Sequence, residues 1–375
     1  YSSKSKRFHK LMIRLFRARA LPAILVIAAL LLISDAPGQS LGAPQSSSPS
    51  SSPASPQPGG QSGQQTPPQS PPETGNEPST TFKVNVNVVN LYFSVKDHKG
   101  MLVPNLTQND FEVLEDNKPQ TIKFFKSETN QPLTLGILID TSPSQGRVLP
   151  MEQQTGAMFL RQVLTSKDLA FVIGFDVNVD LLADLTTSTN DLNDALRRTH
   201  IGGGGGGLTP GPVPTGRNAG GTHLYDAVYL AAHDVLGKEI GRKAMILLTD
   251  GQDQGSQLKI MDAIEAAQKA DTICYVILIA DRGFYGGYGM GYSGDSQMRK
   301  LAEATGGRMI EVGNDEKKLH EAFDQLAAEL RSQYNIGYTP SNSTLDGSFR
   351  KVQVKTKGEG YKVQARAGYY AIAKR

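Results

Sequence analysis

The sequence predicts an α/β fold: a doubly wound, mostly parallel sheet, inserted in a small all-β sandwich and preceded by a disordered N-terminal linker. Three observations predict it. Residues 132–332 alternate short apolar runs with helix-period segments, the pattern of a parallel sheet covered by helices on both faces. Residues 82–131 and 333–375 carry strand patterns with no helical period. Residues 36–81 are dominated by Ser, Pro, Gln and Gly with only Glu73 and Glu77 charged, a composition that cannot bury a core.

At 375 residues the chain suits two domains plus unstructured segments. The net charge of +3 is uneven, because Lys4, Lys6, Arg7, Lys10, Arg14, Arg17 and Arg19 precede the first acid, Asp35. Behind that block the balance is slightly acidic, which argues against a nucleic-acid face. The apolar run 21–33, LPAILVIAALLLI, is short for a spanning helix and has the length of a signal-peptide core. Residues 1–35 are therefore expected to be an export signal cleaved near 38–40, with an uncleaved signal anchor as the alternative. No cysteine follows the run, so no lipoprotein anchor is expected there. The single cysteine, Cys274, excludes an intrachain disulfide framework. As a coil, the linker would hold its ends about 35–40 Å apart.

The first strand patterns lie at 84–95, where Val84 to Val88 alternate strictly, at 111–114, and at 121–125. Turns are expected at 97–100 and 115–118. About four strands are few for a free-standing sandwich. Strand-like segments at 334–338, 349–356, 361–367 and 368–370 are expected to complete it from the other end of the chain.

Between them, residues 133–144 read LTLGILIDTSPS. The run is apolar until Asp140, as in a strand buried on both faces. It then breaks at Pro143 into a loop bearing Asp140, Ser142 and Ser144. A helix is expected at 148–164, a strand at 169–175, a short edge strand at 179–182, and a helix at 190–199 capped by Thr189 or Asn190. A Gly/Pro-rich loop at 202–221 leads into Thr222. A helix at 224–236, a strand at 245–249 ending at Asp250, a helix at 258–270 and a strand at 272–279 follow. A helix at 297–304, a strand at 309–312 and a closing helix at 316–331 complete the alternation.

A carboxylate with two hydroxyls is a hard-oxygen set suited to Mg²⁺ or Mn²⁺. Asp-x-Ser-x-Ser alone is equally a turn and cap pattern. With GGTHLYD at 220–226 and KAMILLTD at 243–250, however, residues 132–330 resemble the von Willebrand factor A-type domain. The resemblance implies a metal-ion-dependent adhesion site made of Asp140, Ser142, Ser144, Thr222 and Asp250. It implies direct ligation by Ser142 and Ser144, water-mediated contact by Asp140, and exchangeable roles for Thr222 and Asp250. It also implies a protein partner whose acidic side chain completes the coordination. Phrases such as LTQNDF at 106–111 and ARAGYY at 365–370 resemble bacterial proteins of this family, as in Acidobacteria, with a flanking β-sandwich. Asp226 reads either as an acceptor behind Thr222 or as a first-turn acid favoured by the helix dipole. Asp253 reads as a turn residue, His223 and His233 as surface or packing residues, and Cys274 as a core thiol.

The loop 281–295, DRGFYGGYGMGYSGD, follows a parallel strand and should emerge at the carboxyl edge with the metal loop. Its Phe284, Tyr285, Tyr288 and Tyr292, with Met290, are spaced by glycines in the manner of adaptable recognition loops, and are expected to touch a partner. Enzyme readings find little support. No Gly-x-Gly-x-x-Gly follows the first buried strand, the glycines at 202–207 lack a phosphate-loop lysine, and residues 291–295 are no nucleophile elbow. The expectation is an extracytoplasmic, tethered binding module and not an enzyme. An envelope scaffold is the alternative, and a metal-assisted hydrolase a remote one.

Overall fold

Four strands open the described chain. They are β1 (Val89–Lys96), β2 (Phe111–Glu115), β3 (Lys118–Gln120) and β4 (Ile122–Glu128). The structure is a computed structural model that describes residues 88–128, 131–202, 221–280 and 294–372. The expected signal, the linker, and the first part of the 84–95 strand pattern lie outside the described residues. The described residues belong to one compact unit, Thr80–Arg375. β3, with sequence KPQ, carries no strand signal of its own. It forms because Asp116 and Asn117 both take positive φ, 47° and 66°, and fold the chain back onto β2.

The inserted domain follows in order: β5 (Leu133–Asp140), α1 (Leu149–Val163), β6 (Leu169–Phe175), β7 (Val179–Thr186), α2 (Thr189–Arg198), α3 (Leu224–Leu230), β8 (Arg242–Thr249), α4 (Ile260–Lys269), β9 (Thr272–Leu278), α5 (Gly294–Thr305), β10 (Met309–Glu311) and α6 (Glu316–Arg331). The sheet order is β10-β9-β8-β5-β6-β7, parallel throughout except for the antiparallel edge strand β7. Alternate residues of β5 feed opposite faces. Leu133, Leu135, Ile137 and Ile139 pack with α1, α2 and α6, whereas Leu138 packs on the side of α3, α4 and α5. β8 and α5 begin earlier than expected, at Arg242 and Gly294, and three further elements differ. β7 is longer than 179–182. α2 is capped by Ser188, whose hydroxyl accepts from Asp191 N–H at 3.3 Å. α3 stops at Leu230 and continues as a π turn, Ala231–Val235, and a 3₁₀ turn, Leu236–Lys238.

After α6 come β11 (Gln333–Tyr338), β12 (Phe349–Thr356), β13 (Lys362–Ala365) and β14 (Gly368–Tyr370). They share two antiparallel sheets with the N-terminal strands, ordered β13-β1-β11-β4 and β14-β12-β2-β3. Both sheets contribute to one core, with Leu91, Phe93, Tyr334 and Ile336 from the first and Phe111, Val113, Val352 and Val354 from the second. Tyr338 and Tyr369 both donate to Glu115 Oε2, at 2.7 and 2.9 Å, which ties the sheets together through one buried carboxylate.

Candidate metal centre

The chain reverses its lateral direction at β5. From β5 it proceeds outward to β6 and β7, then returns to β8 on the other side and moves away through β9 and β10. The carboxyl ends of β5 and β8 therefore flank a topological switch point, where open α/β sheets bind ligands. Their register pairs Ile139 with Leu248, so Asp140 and Thr249 end level. Thr249 Oγ1 donates to Asp140 Oδ2 at 2.6 Å and accepts from Gly251 N–H at 3.0 Å. Asp140 Oδ1 accepts from Ser142 N–H at 3.0 Å.

The loop hydroxyls point to the other carboxylate. Ser142 Oγ lies 3.0 Å from Ser144 Oγ, and Ser144 Oγ donates to Asp250 Oδ2 at 2.6 Å. Asp250 Oδ1 accepts from Gln252 N–H at 3.0 Å. Asp140, Ser142 and Asp250 are buried, while Ser144 is partly exposed and is the group through which the cluster meets solvent. Thr222 arrives by its backbone. It exchanges two hydrogen bonds with Gln254, each 2.9 Å, which fix it to the loop that follows Asp250, and His223 N–H donates to Asp176 O at 2.7 Å.

Burial, then the charge of Asp250, raises the Asp140 carboxyl to about 7, against the opposing hydrogen bonds from Ser142 and Thr249. Among the described residues, no group of three His, Cys, Asp or Glu side chains could hold a metal. The donors are two carboxylates and hydroxyls. That set fits a small hard cation. Adjacent oxygens around an octahedral Mg²⁺ stand about 2.9 Å apart, given metal–oxygen distances of about 2.0–2.1 Å. The contacts of 3.0 and 2.6 Å already bracket that spacing.

The strand order, the antiparallel edge strand and the three loops meeting at the switch point decide the fold. The inserted domain has the von Willebrand factor A-type fold. No family model matches the sequence, and no curated protein matches it. Solved structures similar to this chain include a von Willebrand factor type A protein from Catenulispora acidiphila, 14% identical, TM-score 0.43, covering 78% of this chain and 75% of that one. Conserved hypothetical protein BatB from Bacteroides thetaiotaomicron is 15% identical, TM-score 0.40, covering 53% and 100%. Proximal thread matrix protein 1 from the mussel byssus, with a zinc-occupied MIDAS motif, is 15% identical, TM-score 0.43, covering 58% and 50%. This chain thus spans about half the length of the mussel protein.

Other singled-out residues resolve into structural roles. Asp226 accepts from Gln257 and Leu258 N–H, both at 3.0 Å, and so anchors the loop before α4 to the first turn of α3. Asp253 accepts from Ser256 Oγ at 2.5 Å and Tyr225 N–H at 3.3 Å. His233 stacks on Tyr229 with centroids 5.2 Å apart. Cys274 is buried, and burial pushes its thiol up to about 12. Phe284, Tyr285, Tyr288, Met290 and Tyr292 lie outside the described residues. Thr249 and Glu152 escape a reading of the sequence. Thr249 looks like the end of a strand, and Glu152 like an ordinary first-turn acid, yet Glu152 is completely buried.

Proposed function

We propose that this is an exported, tethered protein-binding module, and not an enzyme. In this reading Asp140, Ser142, Ser144, Thr222 and Asp250 hold one Mg²⁺ or Mn²⁺, and a partner's acidic side chain completes its coordination. The observation that carries it is the chain of contacting oxygens Ser142–Ser144–Asp250 at the switch point, open to solvent at Ser144. When bound, the cation supplies an exposed positive charge with room for an outside carboxylate oxygen. The protein's own part is to pre-aim the donors: Thr249 and Ser142 N–H orient Asp140, and Gln252 N–H orients Asp250. A charge-assisted contact of this kind is reversible and gains strength in a dry interface. The basic and apolar segments at 4–33 support export. Among the described residues no helix is long and apolar enough to cross a membrane, and residues 1–35 are not among them.

The rim of the site is proposed to be the loop 281–295. Ala280, which precedes it, follows β9 at the same sheet edge, and Gly294, where the described chain resumes, lies against the Asp250 backbone. A Cβ on Gly294 would stand 2.6 Å from Asp250 O. Replacing Tyr285, Tyr288 and Tyr292 with serine is expected to weaken partner binding by about 1–4 kcal/mol without changing metal affinity.

The metal test is thermal. Mg²⁺ or Mn²⁺ at about 100 times Kd should add about 2.7 kcal/mol of stability by linkage. Asp140→Ala should abolish the shift, and an equal response in wild type and variant would refute the site. Capture from envelope extract, with and without chelator, then separates the binding module from an envelope scaffold. If Asp140→Ala retains the same captured partner, the metal only stabilises loops.

A further inference from the structure

β14 is an open edge: among the described residues it pairs only with β12. Val352 N–H donates to Ala367 O and Ala371 N–H to Ser348 O, both at 2.9 Å. Bonds to one neighbour alternate along an antiparallel strand. Gly368 and Tyr370 therefore turn their backbone groups to the other side, where no strand lies among the described residues. The side chains at that edge are apolar and exposed. Phe349 is 41% and Ile372 40% exposed, and the rings of Phe349 and Tyr370 meet with centroids 5.3 Å apart. α4 borders them. Lys269 Nζ lies 5.1 Å from the Tyr370 ring centroid, and Met261, two turns earlier on the same helix face, is 52% exposed.

β1 leads to this edge. It pairs with β13 from Lys96–Lys362 to Phe93–Ala365, and Arg366 Nη2 then donates to Asn90 O at 2.9 Å. Carried on at the same register, Val88 comes level with Tyr370 and Val86 with Ile372. The faces agree as well. Val89, Leu91 and Phe93 enter the sandwich core, whereas Tyr92 packs on the inserted domain and Lys96 bonds Glu329 of α6. Even positions thus face the inserted domain, and residues 84–88, VNVNV, put every valine on that face. We infer that residues 82–87, outside the described residues, continue β1 as the missing strand along β14, with Val84 and Val86 buried on the apolar edge beside α4. The occupant is this chain's own segment, because it is covalently continuous with β1 and its strict alternation calls for one buried face. The foot of the linker is thereby fixed at the seam between the sandwich and the inserted domain.

Amide exchange of the full chain, read by mass spectrometry, tests this. In monomeric protein, residues 83–87 should exchange at least about tenfold more slowly than the same sequence as a free peptide. Val84→Asp with Val86→Asp should abolish that protection and leave β5 and β8 protected. Asn85→Asp with Asn87→Asp, which places the same charges on the opposite face, should keep it. Free-peptide rates in the wild type would overturn the inference, as would an equal loss in both double variants. Protection confined to a dimer and lost on dilution would overturn it in favour of strand exchange between two copies. A second variant decides even where the aspartates prevent folding. Val86→Cys with Ile372→Cys should form a disulfide within one chain on mild oxidation, and buried Cys274 does not compete. No bond, or a bond that joins two chains, would overturn the docking.

Discussion

At the scale of single residues, the inserted domain depends on one missing methyl group in β5. A Cβ at Gly136 would stand 2.5 Å from Cζ of Phe171 on the neighbouring strand β6. Phe171 is fully buried in the core on the side of α3, α4 and α5, so its ring can shift only against packed neighbours. Gly136→Ala should therefore act as an overpacking substitution and remove about 1–3 kcal/mol of stability. Urea unfolding checks this: the midpoint should fall while the slope is kept, and an unchanged midpoint would show that β6 accommodates the methyl. The reason for Gly136 is invisible along the chain, because it lies across the sheet. In LTLGILID the glycine reads only as a weak point in a strand. Polar residues of the domain differ in the same way. Asp140, Ser142 and Ser144 stand in one short loop and are legible as a set. Glu152 is eight positions beyond Ser144, on a helix where an acid is locally favourable, and only its burial reveals that it turns inward.

At the scale of elements, the closing helix α6 is fastened by one carboxylate. Glu329 is fully buried and accepts from Lys96 Nζ at 2.6 Å, Arg308 Nε at 2.9 Å and Gln364 Nε2 at 2.7 Å. It thus joins α6 to β1, to the segment before β10 and to β13. Burial raises its carboxyl pKa, but Lys96 and then Arg308 outweigh burial, and the net value lies below the ordinary one. Lys96 itself is lowered, burial again first, because a single anion faces it while Arg308 and Lys362 repel it. Glu329 is a depressed carboxylate, so its contribution is full above the unfolded pKa, about 4.3, and fades as pH falls through the folded value. Glu329→Gln should cost about 2 kcal/mol at pH 7, discounted for the partial exposure of Lys96 and Arg308. The gap to wild type should close towards pH 3. Denaturant unfolding at several pH values measures it, and a gap that persists at pH 3 would assign the loss to packing. The elements themselves were legible where burial is two-sided, as in β5, β6 and β9. They blurred where pairing, not composition, decides. β3 exists because β2 pairs with it, and β7 runs to Thr186 as a half-buried edge strand with a weak apolar pattern. The end of α3 blurred because an apolar helical period does not distinguish an α turn from a π turn.

At the scale of the molecule, the segments 88–128 and 333–372 that flank the inserted domain are one structure. β1 pairs only with β11 and β13, and β4 only with β11, among the described residues. β2 pairs with β12 as well as with β3. Removing residues 333–375 would thus leave β1 and β4 without a neighbouring strand, and would leave β2 with only the three-residue β3. The aromatic core goes with them. Tyr334 stacks on Phe93 and Phe125 with centroids 5.6 and 5.5 Å apart, and its hydroxyl bonds Val103 O at 2.6 Å and Leu106 N–H at 2.9 Å. The inserted domain loses no strand and no member of its two buried cores, whose last buried residue is Leu330. A chain ending at Ser332 should therefore keep the parallel sheet, with protected amides in β5, β6, β8 and β9. It should exchange rapidly across β1, β2 and β4, because an isolated hairpin is marginal in water. Amide exchange read by mass spectrometry separates the two regions within one sample. Full protection of β1 in the shortened chain would sink the shared sandwich, and loss of protection in β5 and β8 would mean that the inserted domain depends on its β frame to fold.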